Sequence, residues 1–112
     1  MDVNAALLRT ADWLEAHPDR HITTVLATAA NGNEVWPFAP EAHCFCAYGR
    51  FLVELGDEGQ RLYEDANGYG AVFDATGIRY ETVYNINDRM PEGGDGEHGN
   101  PEVIDYLRQK AK

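Results

Sequence analysis

Apolar and polar residues follow two different periods along this chain, and the changes of period mark its elements. Val3, Ala6, Leu7, Trp13 and Leu14 share one face of a 3.6-residue repeat, with Asp2 placed to cap it and His17-Pro18 to end it, so a first helix runs to about Ala16. The next run, HITTVLATAANGNEVWPF, holds β-branched Ile22, Thr23, Thr24, Val25 and Thr28, then Asn31-Gly32, then Val35, Trp36 and Phe38. Asn-Gly tolerates φ > 0 at both turn positions, so this pattern predicts a β-hairpin whose second strand is closed by Pro37 and Pro40. A lone hairpin is marginal in water and must rest on helices.

The stretch Ala39 to Leu55 predicts a helix of about four turns, with Pro40 at its first position, Glu41 against its N-terminal dipole and Gly56 beyond its last apolar residue. Ala42, Phe45, Cys46, Gly49 and Val53 lie on one face and Cys44, Tyr48, Phe51 and Leu55 on the next, leaving His43, Arg50 and Glu54 as a narrow polar stripe. A helix apolar over so much of its surface is buried on two sides and is expected at the centre of the domain. Leu62, Tyr63 and Ala66, then Ala71, Val72 and Ala75, give two short helices broken at Asn67-Gly68 and stopped at Gly77. Over 78–87, Ile78, Tyr80, Thr82 and Tyr84 alternate as in a strand, while Tyr80, Val83, Tyr84 and Asn87 fit a helix; we favour the helix. Arg89 to Gly99, with four glycines and a proline, is a loop. Asn100 as N-cap, Pro101 and Glu102 open a last helix that buries Val103, Ile104, Leu107 and Ala111. The expected fold is α+β, mainly α: one domain over 1–112, with helices packed around a central helix and one small hairpin.

Composition narrows the functional classes. Nineteen Asp and Glu against nine Lys and Arg give a net charge of -10, which repels a phosphate backbone and an anionic membrane, so direct nucleic-acid or membrane binding is disfavoured. The start carries acids where a signal peptide needs a basic region, and no apolar run approaches about 18 residues, so a cytoplasmic protein is expected. Cys44 and Cys46, two apart on the predicted helix, diverge too far to form a disulfide and are expected as thiols.

The order ALLRTADWLEA, VLATAANGNEVWPFAPEAHCFCAYGRF, NIND and PEVIDYLRQKA resembles a family of small bacterial and bacteriophage proteins, domain of unknown function 6197. Asn31 and Gly32 fall in that family's turn, Cys46, Ala47 and Gly49 match the CAlG of its central helix, Asn87 and Asp88 its ND pair, and Val103 and Leu107 its closing helix. Arg50 replaces the small residue after the glycine, and Ile86 stands where the family tends to have Trp. The resemblance implies a fold and no reaction; its occurrence in phages implies a host-takeover or anti-defence role.

Four constellations carry candidate chemistry. Cys46 with His43 and His98 could form a thiol nucleophile and base, but an apolar helix interior argues for a buried, inert cysteine. His43, Cys44 and Cys46 do not converge on one metal from a single helix, and the loop 88–97 lacks the alternating ligands of a calcium site, so no metal and no cofactor are expected. Asn87-Asp88, ending an aromatic segment, reads as a junction that closes on backbone amides, with the Asp88 carboxylate accepting an N–H. The aromatic count exceeds what a small core buries, and partly exposed Tyr and Trp anchor interfaces. The leading expectation is therefore a non-enzymatic acidic interaction protein that meets a basic protein surface through Trp36, Tyr69, Tyr80, Asp88, Asp95 and Glu97. A small enzyme or ligand-binding domain with a polar cleft at His43, Cys46, Asn87 and Asp88 is the alternative.

Overall fold

Helix α1 (Val3–Ala16) starts where Asp2 caps it, the carboxylate accepting the Ala5 N–H at 3.0 Å, and ends at His17 before a single 3-10 turn at Pro18–Arg20. The structure is a computed structural model that describes residues 2–65, 67–89 and 100–111. Those residues form six helices and one two-stranded antiparallel sheet, an α+β fold that is mainly α.

A turn forms at Asn31-Gly32, but Asn31 keeps φ < 0, so it is not the turn with both central residues at φ > 0 that the Asn-Gly pair predicts. Gly32 takes φ +90°, its N–H reaches the Ala29 carbonyl at 3.0 Å, and the Asn33 N–H bonds to Asn31 Oδ1 at 3.0 Å. The strand paired across the sheet differs from the expected one. Val35–Phe38 leaves after one bridge, Thr28 opposite Glu34, and β1 (Ala27–Thr28) pairs instead with β2 (Cys44–Phe45) in the register Ala27 to Phe45 and Thr28 to Cys44. Pro37 and Pro40 have no N–H to extend a ladder, and turns closed by Ala39 N–H to Trp36 and Ala42 N–H to Ala39 bring the chain back along the other edge of β1, to the Leu26 and Thr28 carbonyls.

That pairing corrects the expected central helix. The backbone of 43–46 is committed to β1, with His43 N–H on the Thr28 carbonyl at 2.8 Å and Cys46 N–H on the Leu26 carbonyl at 3.1 Å, so the helix begins only at Ala47. Pro40, Glu41 and Ala42 lie in turns, and Cys44 and Cys46 are not on a helix. Cys46 is extended (φ -76°, ψ 169°) and caps α2 (Ala47–Glu54), its Sγ accepting the Gly49 N–H at 3.3 Å as a serine hydroxyl does. Short as it is, α2 remains the centre: it packs on α1 and on α3 (Asp57–Glu64) and α5 (Tyr80–Asn87), with Ala47, Tyr48, Gly49, Phe51 and Leu52 buried. Gly49 has no room for a side chain, because a Cβ there would collide with the Leu26 carbonyl.

The remaining helices follow their sequence signals. α4 (Gly68–Thr76) ends at Gly77 in the left-handed conformation (φ +77°), and residues 80–87 settle as the helix α5. α6 (Pro101–Lys110) lies along α1, where Arg108 pairs with Asp12 and Glu15. Leu7, Leu14, Phe51, Leu52, Val72, Val83, Val103 and Leu107 fill the core from five helices. Each large side chain buried there contributes about 1.5–3 kcal/mol. Among the described residues one non-glycine takes a positive φ: Thr24, a β-branched residue, stands at φ +82°.

Candidate functional site

Two features compete for a functional role, a buried polar cluster and a band of aromatic rings. The cluster is centred on Asn87, which α5 carries into the interior with 1% exposure. Asn87 Oδ1 accepts from the Ala47 N–H at 3.0 Å, at the first turn of α2, and lies 2.5 Å from His21 Nε2. An oxygen already accepting the amide N–H is the acceptor for both, so His21 carries its proton on Nε2. The Asn87 Nδ2 group donates to the Ile22 carbonyl and to Asp88 Oδ1, each at 3.0 Å. Asp88 Oδ1 also accepts the N–H of Thr24 at 3.3 Å, which ties the carboxylate to the residue with the left-handed backbone. Asn100 adds a second clamp: its Oδ1 caps α6 through the Glu102 and Val103 N–H groups, and its Nδ2 donates to the Ile86 and Asn87 carbonyls at 2.8 and 3.0 Å. Burial holds the His21 imidazole below its ordinary value, against weaker pulls upward from the Asn87 bond and the Asp88 charge. Every polar atom of the Asn87 side chain is thus spent on this chain's own groups, the closing role expected of Asn87-Asp88.

The polar residues of the alternative reading are not drawn into one cleft. Cys46 is 7% exposed and burial pushes its thiol up to about 11, the opposite of what a nucleophile needs. Its sulfur faces the Gly49 N–H, whereas His43 is exposed on the chain entering β2. Among the described residues, no group of three or more His, Cys, Asp or Glu side chains could hold a metal ion. His98, Asp95 and Glu97 lie outside the described residues.

The aromatic band runs across the opposite kind of surface. Trp36 meets Phe38 edge-on at 5.2 Å, Phe38 lies 6.3 Å from Tyr63, and Tyr63 lies 5.6 Å from Tyr69. Tyr69, in the first turn of α4, stacks on Tyr80 of α5 at 4.1 Å and 7°, and Tyr80 stacks on Tyr84 one turn later at 5.6 Å. Beneath them Tyr48 is fully buried against Tyr69 (5.7 Å) and Tyr80 (5.1 Å), its hydroxyl facing no protein partner. Trp36, Tyr69 and Tyr84 are 42%, 40% and 40% exposed, so the band has a buried floor and an open upper edge. Burial raises the phenols of Tyr48, Tyr63, Tyr69 and Tyr80, so these rings stay uncharged near neutral pH. Two recesses open on it: one of about 320 Å³ walled by Leu26, Glu34, Val35, Trp36, Pro37 and Tyr63, and one of about 130 Å³ between Tyr69, Phe73, Arg79, Tyr80 and Glu81.

Three sequence-predicted interaction residues, Trp36, Tyr69 and Tyr80, thus fall on one continuous surface, although 33 residues separate the first two in the chain. Asp88 follows Tyr84 by one turn, and its Oδ1 is taken by the Thr24 N–H and the Asn87 amide. Sequence reasoning missed His21, whose burial has no local signal, and it placed Tyr63 and Tyr84 on helices without assigning them to the interaction surface. The i, i+4 spacing of Tyr80 and Tyr84 was the one visible sign of a stacked pair. No family model, curated protein sequence or solved structure matches this chain.

Proposed function

We propose that this chain is a small acidic interaction protein that docks on a basic protein surface through the band from Trp36 to Tyr84. The single observation that carries the reading is the band itself: five consecutive ring contacts, with Trp36, Tyr69 and Tyr84 open to solvent above a packed tyrosine floor. Rigid Tyr and Trp supply large contact area at little entropic cost and dominate binding hot spots. The net charge of -10 supplies the attraction for a cationic partner and argues against a nucleic-acid one. If the resemblance to the phage family holds, the basic surface would belong to a nucleic-acid-binding host protein whose cationic groove the acidic chain occupies.

The test is capture from a bacterial lysate by the wild-type protein and by a Tyr69→Ala/Tyr84→Ala variant, at low and high salt. The reading expects a captured protein with a basic surface, lost when both tyrosines are removed and weakened by salt, because charge steering is screened within about 8 Å at physiological ionic strength. Capture that survives both the variant and the salt would overturn it.

A further inference from the structure

The chain carries two tryptophans, and the structure shows one of them in use. Arg50 lies over the Trp13 ring at 4.5 Å, and its guanidinium is held there by Glu54, with Nε to Oε2 at 2.9 Å. The unit is an indole, a guanidinium on its face and a carboxylate pinning the guanidinium. Arg79 repeats half of it on Phe73 at 4.4 Å. Trp36 has the indole and the carboxylate without the cation. It is 42% exposed and walls the 320 Å³ recess together with Tyr63, Leu26, Val35 and Pro37, and among the described residues the one charged side chain in that wall is Glu34. Among the described residues, no cation stacks on Trp36 and none pairs with Glu34; Glu41, Glu64 and Glu81 are likewise without arginine partners, but Glu34 is the one that stands beside an exposed indole.

From this contrast we propose that the Trp36–Tyr63–Glu34 recess is the anchor subsite of the docking face, and that it takes an arginine side chain of the partner. This rests on the interaction reading above. The guanidinium stacks on the indole or the Tyr63 ring while Glu34 accepts its N–H groups, the arrangement that Arg50 already makes with Trp13 and Glu54. The aliphatic stem lies against Leu26, Val35 and Pro37, as long cationic side chains lie on apolar surface. Lysine offers the charge without the planar fork and fits less well. The neighbouring recess of about 350 Å³, between Phe38, Phe45, Val53 and Gln60, carries both Arg50 and Asp57 in its wall, so its acidic group already faces a cation of this chain, as that of the Trp36 recess does not.

The experiment titrates the intact protein with hexa-arginine and hexa-lysine amides at low salt and follows the two indole N–H signals by NMR, assigned with Trp36→Phe. Hexa-arginine is expected to shift the Trp36 signal and leave Trp13 in place. Glu34→Gln should weaken it about threefold to fivefold, the range of an exposed ion pair or cation–π contact, while Asp105→Asn, an equal change of charge on exposed α6, should change it less than about twofold. Binding in which Trp36 stays silent but Tyr69→Ala weakens affinity would overturn the subsite and leave the docking face standing. Equal weakening by Glu34→Gln and Asp105→Asn, or equal affinity for hexa-lysine, would reduce the effect to net charge and overturn the subsite as well. No binding by either peptide would overturn both.

Discussion

Truncating Asn87 should be among the most damaging single changes in the molecule. Asn87→Ala leaves two buried donors without acceptors, the Ala47 N–H and the His21 Nε2–H, and takes away the donor on the Ile22 carbonyl. Each of these three orphaned groups costs about 1–3 kcal/mol, so the sum is about 3–9 kcal/mol against a total stability of about 5–15 kcal/mol for a domain of this size. At about 4–8 °C per kcal/mol, the melting temperature should drop by about 12 °C or more. Thermal and urea unfolding followed by circular dichroism measure it, with the urea slope unchanged if only stability moved. Asp88→Ala is the internal control. It removes the Thr24 N–H and Asn87 Nδ2 contacts at the edge of the cluster but leaves the amide in place, so it should cost only about 0.5–2 kcal/mol. An Asn87→Ala loss below about 1 kcal/mol, or one no larger than that of Asp88→Ala, would refute the argument that the cluster holds the fold together.

Three further outcomes follow from other parts of the structure. Gly49→Ala should destabilise by about 1–3 kcal/mol despite alanine's better helix propensity, because its Cβ meets the Leu26 backbone; a stabilised variant in urea melts would refute that contact. His21 is held neutral in the native state while the unfolded chain takes up a proton near pH 6.5, so its contribution is complete above about pH 6.5 and falls as pH falls below it; His21→Gln should flatten the loss of urea midpoint between about pH 6.5 and 5. A thiol reagent should modify the half-buried Cys44 in the native protein and Cys46 only on unfolding, since burial keeps the Cys46 thiol up at about 11; mass-mapped rapid labelling of Cys46 would count against it.

What the sequence made legible was local. The Asp2 cap, the Asn67-Gly68 break, the left-handed stop at Gly77 and the Asn100-Pro101 start each act within a few residues, and each helix they bound is present. Cys44-Phe45 was misread because an apolar run without a breaker fits a helix and a strand equally, and what decides between them is a partner strand about 17 residues away. His21 and Asn87, 66 residues apart, meet only in three dimensions, so one was unread and the other was placed at a junction without its partners. The tyrosines could be counted as too many for the core, but their order along one surface depends on how α4 and α5 lie against α2.

The Asn87 amide also constrains the order in which the chain can fold. The first turn of α2 is closed by a side chain that lies 40 residues further on, so α1, the sheet and α2 cannot reach their final state until α5 has closed that loop. A folding nucleus built from residues 2–64 alone would leave the Ala47 N–H and the His21 imidazole without their acceptor. Folding should therefore pass one barrier that already includes α5, and Asn87→Ala should slow refolding more than it speeds unfolding, which the two arms of a chevron plot would separate. The same long reach predicts that a growing chain stays sensitive to proteases until α5 has been made.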